Sequence, residues 1–440
     1  MKKILKNLCL TLVGFATLSC DGFLEEKPVK SILVPSTLED VRALLDNYTT
    51  LNDNTLISFI LSDDWMTSTG NWQTLQPWEQ NSYLWKSEVF DPLERSTDYS
   101  KLHRKIFFAN NCLEILDRLS ENSIQADNLR GEALFVRSLA LYQLAQLFLP
   151  HPASSEADLL RIPVRFTGNV SDKSEMLTIK EILARVEQDL NLSLNLLPVK
   201  AGYPNRPEQR TSHALLSSLY LYEGKYDKAL ESAQQVLGSN PALLNYKEIN
   251  PNNPYPFPLF NKETLYYGVT SSFSVTASSA TFVNRELYQV YSANDLRKKL
   301  FFSLDAQGNA LFRGSYLGDF NLFSGLSLSE VLLNGAEAAF RTGNAEQGKT
   351  LLTQLALNRY QNLAIWQQEV GIPNLSTVLE ERRKELVFRA SRWADMKRLA
   401  AIGDLELPMV REIGGQSYLL NSNSQFVLSL PPIEMELEGL

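Results

Sequence analysis

Apolar positions recur at helical spacing along most of this chain. In "PSTLEDVRALLDNY", Leu38, Val41, Leu44, Leu45 and Tyr48 fall on one face, and Ser36 with Glu39 reads as a capping box at the start. The period returns over residues 99–119 (Leu102, Ile106, Ala109, Leu113, Leu116) and 126–148 (Leu129, Ala133, Val136, Ala140, Leu144, Leu147). Thr178 and Glu181 form a second capping box, opening a helix with Ile182, Val186, Leu190, Leu194 and Leu197 inward, which Pro198 stops. A last helix is predicted from the box Thr377 to Glu380 through "VLEERRKELVFRASRWADMKRLAAIG" to Gly403.

One segment reads as a repeat. In "HALLSSLYLYEGKYDKALESAQQVLGSNP", Leu216, Ser217 and Tyr220 lie on one helix and Gly224 and Tyr226 make a turn. Ala229 and Ala233 then lie on a second helix, which Pro241 ends. These offsets match a tetratricopeptide repeat, whose small residues let antiparallel helices approach closely. A degenerate copy is "LSEVLLNGAEAAFRTGNAEQGKTLLTQLAL", with Ala336, Ala339, Gly343, Gly348 and Leu352 at the matching offsets. Two stretches break the helical period: 63–98, and 249–325 with four prolines between Pro251 and Pro258 and a hairpin-like "LFFSLDAQGNALFRGSYLG". The prediction is an all-α scaffold of helical pairs with an inserted loop-rich region of short strands.

The N-terminus changes the picture. Lys2, Lys3 and Lys6 precede the apolar stretch 8–18, which has the length of a signal segment and falls short of the roughly 20 residues a spanning helix needs. Cys20 follows it directly, after Ser19, where the acylated cysteine of a lipoprotein belongs, although Thr17 stands where leucine is usual. Cys9 lies inside the leader and Cys112 in the helical "NNCLEILDRL", so a disulfide framework is not expected. Several acyl chains make a stable anchor and one does not, at ~0.8 kcal/mol per buried CH₂. The expectation is a protein tethered to a membrane through its lipid alone.

Removing residues 1–19 takes three lysines and no acids, leaving 39 basic against 50 acidic side chains, a formal charge of −11 in place of −8. Such a balance argues against nucleic acid and against docking on anionic lipid heads. Enzyme signatures are missing. His103, His151 and His213 show no metal spacing, with His213 at a packing position and His103 among Lys101, Arg104 and Lys105 on a solvated face. No nucleophile elbow, phosphate loop or dinucleotide fingerprint occurs, and no metal or cofactor is implied. Asp63 and Asp64 are the one acidic pair beside an aromatic-rich loop.

Aromatic residues are the better clue. Four of the six tryptophans, Trp65, Trp72, Trp78 and Trp85, fall within twenty-one residues, and Gly70 and Pro77 argue against one continuous helix there. A loop tryptophan offers a flat apolar face to a sugar ring while Asn and Gln bond its hydroxyls, and Asn71, Trp72 and Gln73 stand side by side. Tyr255, Phe257, Tyr266, Tyr267 and Phe273 are candidates for a second aromatic wall. Core packing is the competing reading for each tryptophan.

Taken in order, several blocks resemble the SusD/RagB-like family of surface lipoproteins that partner outer-membrane importers in Bacteroidetes. They are "CDGFLEEKP", "ANNCLEIL", "LRGEALFVRSLALYQLAQLFLP", "RIPV", the repeat "LYLYEGKYDKALESAQQVL", "LLNGAEAAFRTGN", "EERRKELVFRASRWADMKR" and "LSLPPIEMELEGL". The chain departs from the family at Arg389, Ala390 and Ala394, where Glu-Gly and a further aromatic are usual, and near Pro431, Ile433 and Glu434. The resemblance implies a leader over 1–19, an N-terminal helical region over 20–248 and a C-terminal region with variable loops over 249–440. It also implies a non-enzymatic binding protein on four helical pairs, the lid of a TonB-dependent barrel at the cell exterior, capturing oligosaccharide. Three other readings differ in what they predict. A peptide-binding lid has a large cleft, a repeat scaffold binds surface proteins and no small ligand, and a glycoside hydrolase loses activity on Asp64→Asn.

Overall fold

The computed structural model describes residues 35–238, 242–272 and 274–439. Cys20 and the leader, Pro241 and Phe273 lie outside the described residues. Helix α1 (Leu38–Leu45) starts from a capping box shifted by one residue from the expected Ser36–Glu39. Asp40 N donates to Thr37 Oγ1, and Thr37 N donates to the Asp40 carboxylate. Both acids lie three residues beyond a hydroxyl, but the Thr37 start is the one that buries Leu38, Val41 and Leu45.

The stack continues through α2 (Thr97–Leu119), α3 (Ile124–Phe148), α4 (Ile179–Leu196), α5 (Gln209–Glu223) and α6 (Tyr226–Leu237). Each packs on the next in chain order, except that α6 turns onto α7 (Leu328–Arg341), which carries α8 (Ala345–Arg359) on its far side. Helix α4 opens on the predicted box of Thr178 and Glu181. Helix α3 is buried nearly all round, because α2 and α4 cover opposite sides of it. The repeat turns hold: Gly224 (φ 76°) and Gly343 (φ 78°) are left-handed, which glycine adopts without steric cost. A side chain at Gly348 would stand 2.5 Å from the Phe340 ring, so only glycine lets α7 and α8 close.

The predicted last helix is two. Helix α9 (Leu375–Glu385) is capped by Asn374, not Thr377, and α10 (Arg392–Ala401) restarts after a kink. Phe388 (φ 61°) and Ala390 (φ 59°) in that kink are both left-handed, a conformation that costs a non-glycine residue about 1 kcal/mol or more. Packing holds them there. Phe388 stacks on Phe312 at 4.7 Å and touches Phe59, while Arg389 lies over Tyr316 at 3.9 Å.

The loop-rich region carries short two-stranded pairings, among them the predicted hairpin Phe302–Leu304 with Ala310–Phe312 and a late hairpin Met409–Ile413 with Gln416–Leu420. It forms a second core of Phe59, Trp65, Tyr246, Phe257, Phe301, Tyr316 and Phe388 beside the main helical one. Buried charges join the two. Arg359 on α8 donates to Glu263 of the loop region and to Glu385 of α9, and Arg297 donates to Asp295, Glu381 and Glu385. Tyr360 and Lys384 complete the group, and every charged member is buried. Burial alone would raise the Glu381 carboxyl, but Arg297 and Lys384 hold it down at about 2. A second group on α7, α9 and α10 runs Arg382–Asp395–Arg398–Glu337–Arg341. Lys105, expected on a solvated face, is buried beneath the 52–55 segment and donates to Asn54 Oδ1, and burial lowers its pKa to about 7.

Glu385→Gln is expected to cost about 3–5 kcal/mol in urea denaturation, because it leaves Arg359 and Arg297 short of a buried counter-charge. Lys180→Ala, which breaks an exposed pair with Asp158, is expected to change stability by less than about 0.5 kcal/mol. Equal effects from the two would show that burial does not set the strength of these pairs.

Candidate functional site

The two irregular stretches lie against each other. Strand Trp65–Met66 pairs with Phe282–Val283, Thr67 Oγ1 donates to Ala280 O, and Ser274 donates to Glu79. Against the hydroxyl-rich residues 274–281 is an open cavity of about 370 Å³, within the size range of small-ligand sites. Tyr255 and Phe320, 37% and 41% exposed, supply aromatic surface to it, and Thr276, Ser278 and Thr281 line it with hydroxyl groups. Arg313 fixes the wall. Its guanidinium donates to the carbonyls of Pro251, Asn253, Lys299 and Phe302, clamping the proline-rich segment that presents Tyr255.

The other predicted residues divide by burial. Trp65 is 1% exposed, stacked on Phe59 with its indole N–H given to Ile60 O, so it belongs to the core and presents no face to a ligand. Trp85 is equally committed: its N–H bonds Leu61 O, and the Arg411 guanidinium lies over both its ring and that of Tyr83. Phe257 packs fully buried against Tyr246 and Tyr316, and Tyr266 packs against Phe135 of α3. These three candidates, Trp65, Phe257 and Tyr266, are corrected to core positions. Each is pinned by partners distant in sequence.

Trp72 and Trp78 are half-buried against the second core, with Trp72 Nε1 donating to Gln80 O. Asn71 bonds Thr67 Oγ1, Gln73 is exposed, and Tyr267 is half-buried edge-on to Phe260. None of these lines the Tyr255 cavity. Phe320, Thr276 and Ser278 line it and were absent from the sequence reading. For Thr276 and Ser278 the signal was the hydroxyl run in "SVTASSAT", which an eye for tryptophan passes over; nothing local marks Phe320.

The acidic pair does not line the Tyr255 cavity. Both carboxyls are buried, and Asp63 is clamped by Arg392 and Arg383. Burial and the Asp63 charge push the Asp64 carboxyl up to about 7, and its Oδ1 has no hydrogen-bond partner.

With this geometry in place, likeness to known proteins is informative. A family profile described as "Starch-binding associating with outer membrane" matches residues 22–221, and one described as the SusD family matches 326–424. The chain belongs to the SusD/RagB-like family. A SusD-like protein P2 of Formosa agariphila is 22% identical over 400 residues, covering 74% of this chain and 75% of its own. A putative sugar binding protein from Bacteroides vulgatus, 22% identical, superposes with a TM-score of 0.73 over 91% of this chain and 96% of its own. A SusD superfamily protein from Bacteroides thetaiotaomicron, 20% identical, gives 0.74 over 92% and 98%. A laminarin binding SusD-like protein, 18% identical, gives 0.63 over 90% and 96%. At these identities the likeness establishes the SusD fold, helical stack and loop insertion together. The family is one of outer-membrane-associated binding proteins, and no described helix is long and apolar enough to cross a membrane.

The raised Asp64 pKa carries a sign. A carboxyl whose folded pKa lies above its ordinary 3.8 gives its full stabilisation below that value and loses it as the pH rises through about 7. The gain in thermal midpoint of Asp64→Asn over the parent is therefore expected to be larger at pH 8 than at pH 4. A variant that is less stable at pH 8 would show that the ionised carboxylate is accommodated.

Proposed function

We propose that this chain captures oligosaccharide at the Tyr255–Phe320 cavity and serves as the lid of a TonB-dependent importer, tethered to the outer membrane through Cys20. The observation that carries the binding reading is the cavity itself: exposed aromatic rings beside a loop of serines and threonines, on a clamped backbone. A sugar ring presents C–H faces and hydroxyls to the same ligand-sized space, and that combination answers both. Membership of the SusD family supports the reading, as does the neighbour named for binding laminarin. Trp72 and Trp78 pack half-buried on the second core, and we assign them to supporting the fold. Non-catalytic capture fits a site without a poised acid. Lipid tethering beside a barrel raises the effective concentration of a weakly held glycan.

Tyr255→Ala is expected to lower affinity for a bound glycan roughly tenfold, about 1.4 kcal/mol, with the thermal midpoint unchanged. Trp65→Ala, by contrast, should unfold the protein more readily, by about 3–5 kcal/mol. A glycan array with no ligand, or Tyr255→Ala binding as the parent does, would remove the site. Separately, Cys20→Ala should move the protein from the membrane fraction to the soluble one and abolish acyl labelling. Persistence in the membrane fraction would place the anchor elsewhere.

A further inference from the structure

A second cavity, sharing no lining residue with the Tyr255 site, lies inside the helical stack. It is walled by Gln143 of α3, Tyr222 of α5, Glu330 at the start of α7, and Arg389, Ser391 and Ala394 around the α9–α10 kink. Its accessible volume is about 100 Å³, room for several water molecules, and it reaches solvent past the half-buried Gln143 and Glu330.

Its charges are what set it apart. Arg382 and Arg398, also in the wall, are both bonded to Asp395, and Arg398 is bonded to Glu337 as well. Among the described residues, Arg389 and Glu330 form no such bonded pair. Arg389 is 8% exposed and belongs to no ion pair; its Nη1 donates to Ser327 Oγ, and its Nη2 is buried without a hydrogen bond. Glu330 makes only a 3.5 Å contact with Ser218. Tyr222 OH, Gln143 Oε1 and Ser391 Oγ are likewise buried and unpartnered. A polar group of this kind left unsatisfied destabilises the fold, the more so where it is charged. The backbone on either side of Arg389 is left-handed at Phe388 and Ala390, so the guanidinium is held against strain.

We propose that this cavity binds a small zwitterion, its carboxylate on Arg389 and its ammonium on Glu330. Glu330 faces Arg382 and Arg389, and Arg389 faces Glu385, without a bonded ion pair, so a simple anion would bond Arg389 alone and a simple cation Glu330 alone. A molecule carrying both charges answers both. The hydroxyls of Tyr222 and Ser391 and the Gln143 amide supply the remaining bonds. Ala394 keeps the space open, since a larger side chain there would enter it.

Calorimetric titration with glycine and β-alanine tests this, with acetate, methylammonium and glycerol as single-feature controls. The expected result is saturable millimolar binding of one or both amino acids and none of the controls. Ala394→Leu fills the cavity without touching a charge, and should abolish the heat while leaving the fold's circular dichroism unchanged. Should that variant fail to fold, Glu330→Gln at the cavity mouth should weaken binding roughly tenfold. No heat from either amino acid, an equal response to acetate alone, or binding unaffected in the folded variant would overturn the assignment.

Discussion

The buried ion-pair group around Arg359 and Arg297 is the constraint on which the rest depends. Arg359 reaches from a scaffold helix to Glu263 in the loop region and Glu385 on α9, and Arg297 reaches from the loop region to Glu381 and Glu385. Removing ions from water costs several kcal/mol each, and only close, well-satisfied geometry offsets it. Such geometry exists in one relative placement of α8, α9 and the loop region. An apolar interface of the same size tolerates sliding, whereas this one does not. The block "EERRKELVFRASRWADMKR" is then explained residue by residue: Glu381, Arg382, Arg383, Lys384, Glu385, Arg392, Asp395 and Arg398 each meet a partner. A run that reads as a solvated helix face is the ionic core of the molecule.

That inversion shows what a sequence carries and what it withholds. Helix periods, the Thr178 box and the Gly224 and Gly343 turns depend on residues within a few positions of one another, and all were legible. The cap of α1 was off by one residue because two hydroxyl–acid pairs compete and only tertiary burial chooses between them. The α9–α10 kink was invisible for the same reason. No local signal asks Phe388 or Ala390 to turn left-handed; aromatic packing from residues 59, 312 and 316 does. Lys105 was misplaced because a buried lysine is legible only with its partner Asn54, fifty-one residues away.

The aromatic residues follow that rule in a sharper form. Tryptophan in a polar loop predicts either a ligand face or a core, and composition cannot divide the two. Trp85 is decided by Arg411, which lies over it and Tyr83 from a hairpin more than three hundred residues on. Trp65 is decided by Phe59 and Tyr83. Of the aromatic and amide candidates read from the sequence that the structure describes, Tyr255 is the one that lines the cavity. It lies in the proline-rich run, where helix is forbidden, and it faces outward while Phe257, two residues on, turns into the second core.

Tyr255 and the ionic core illustrate two ways of fixing a position, with different consequences for change. The core is fixed side chain to side chain, so altering one member leaves a buried charge and costs several kcal/mol. The wall that carries Tyr255 is fixed through main-chain carbonyls, four of which accept from Arg313. A carbonyl is present whatever residue bears it. The exposed side chains of residues 251–255, Tyr255 among them, can therefore be exchanged without disturbing the clamp, and such positions carry little of the folding energy. A fold built this way can change the chemistry of its cavity wall without touching the buried charges that hold its scaffold.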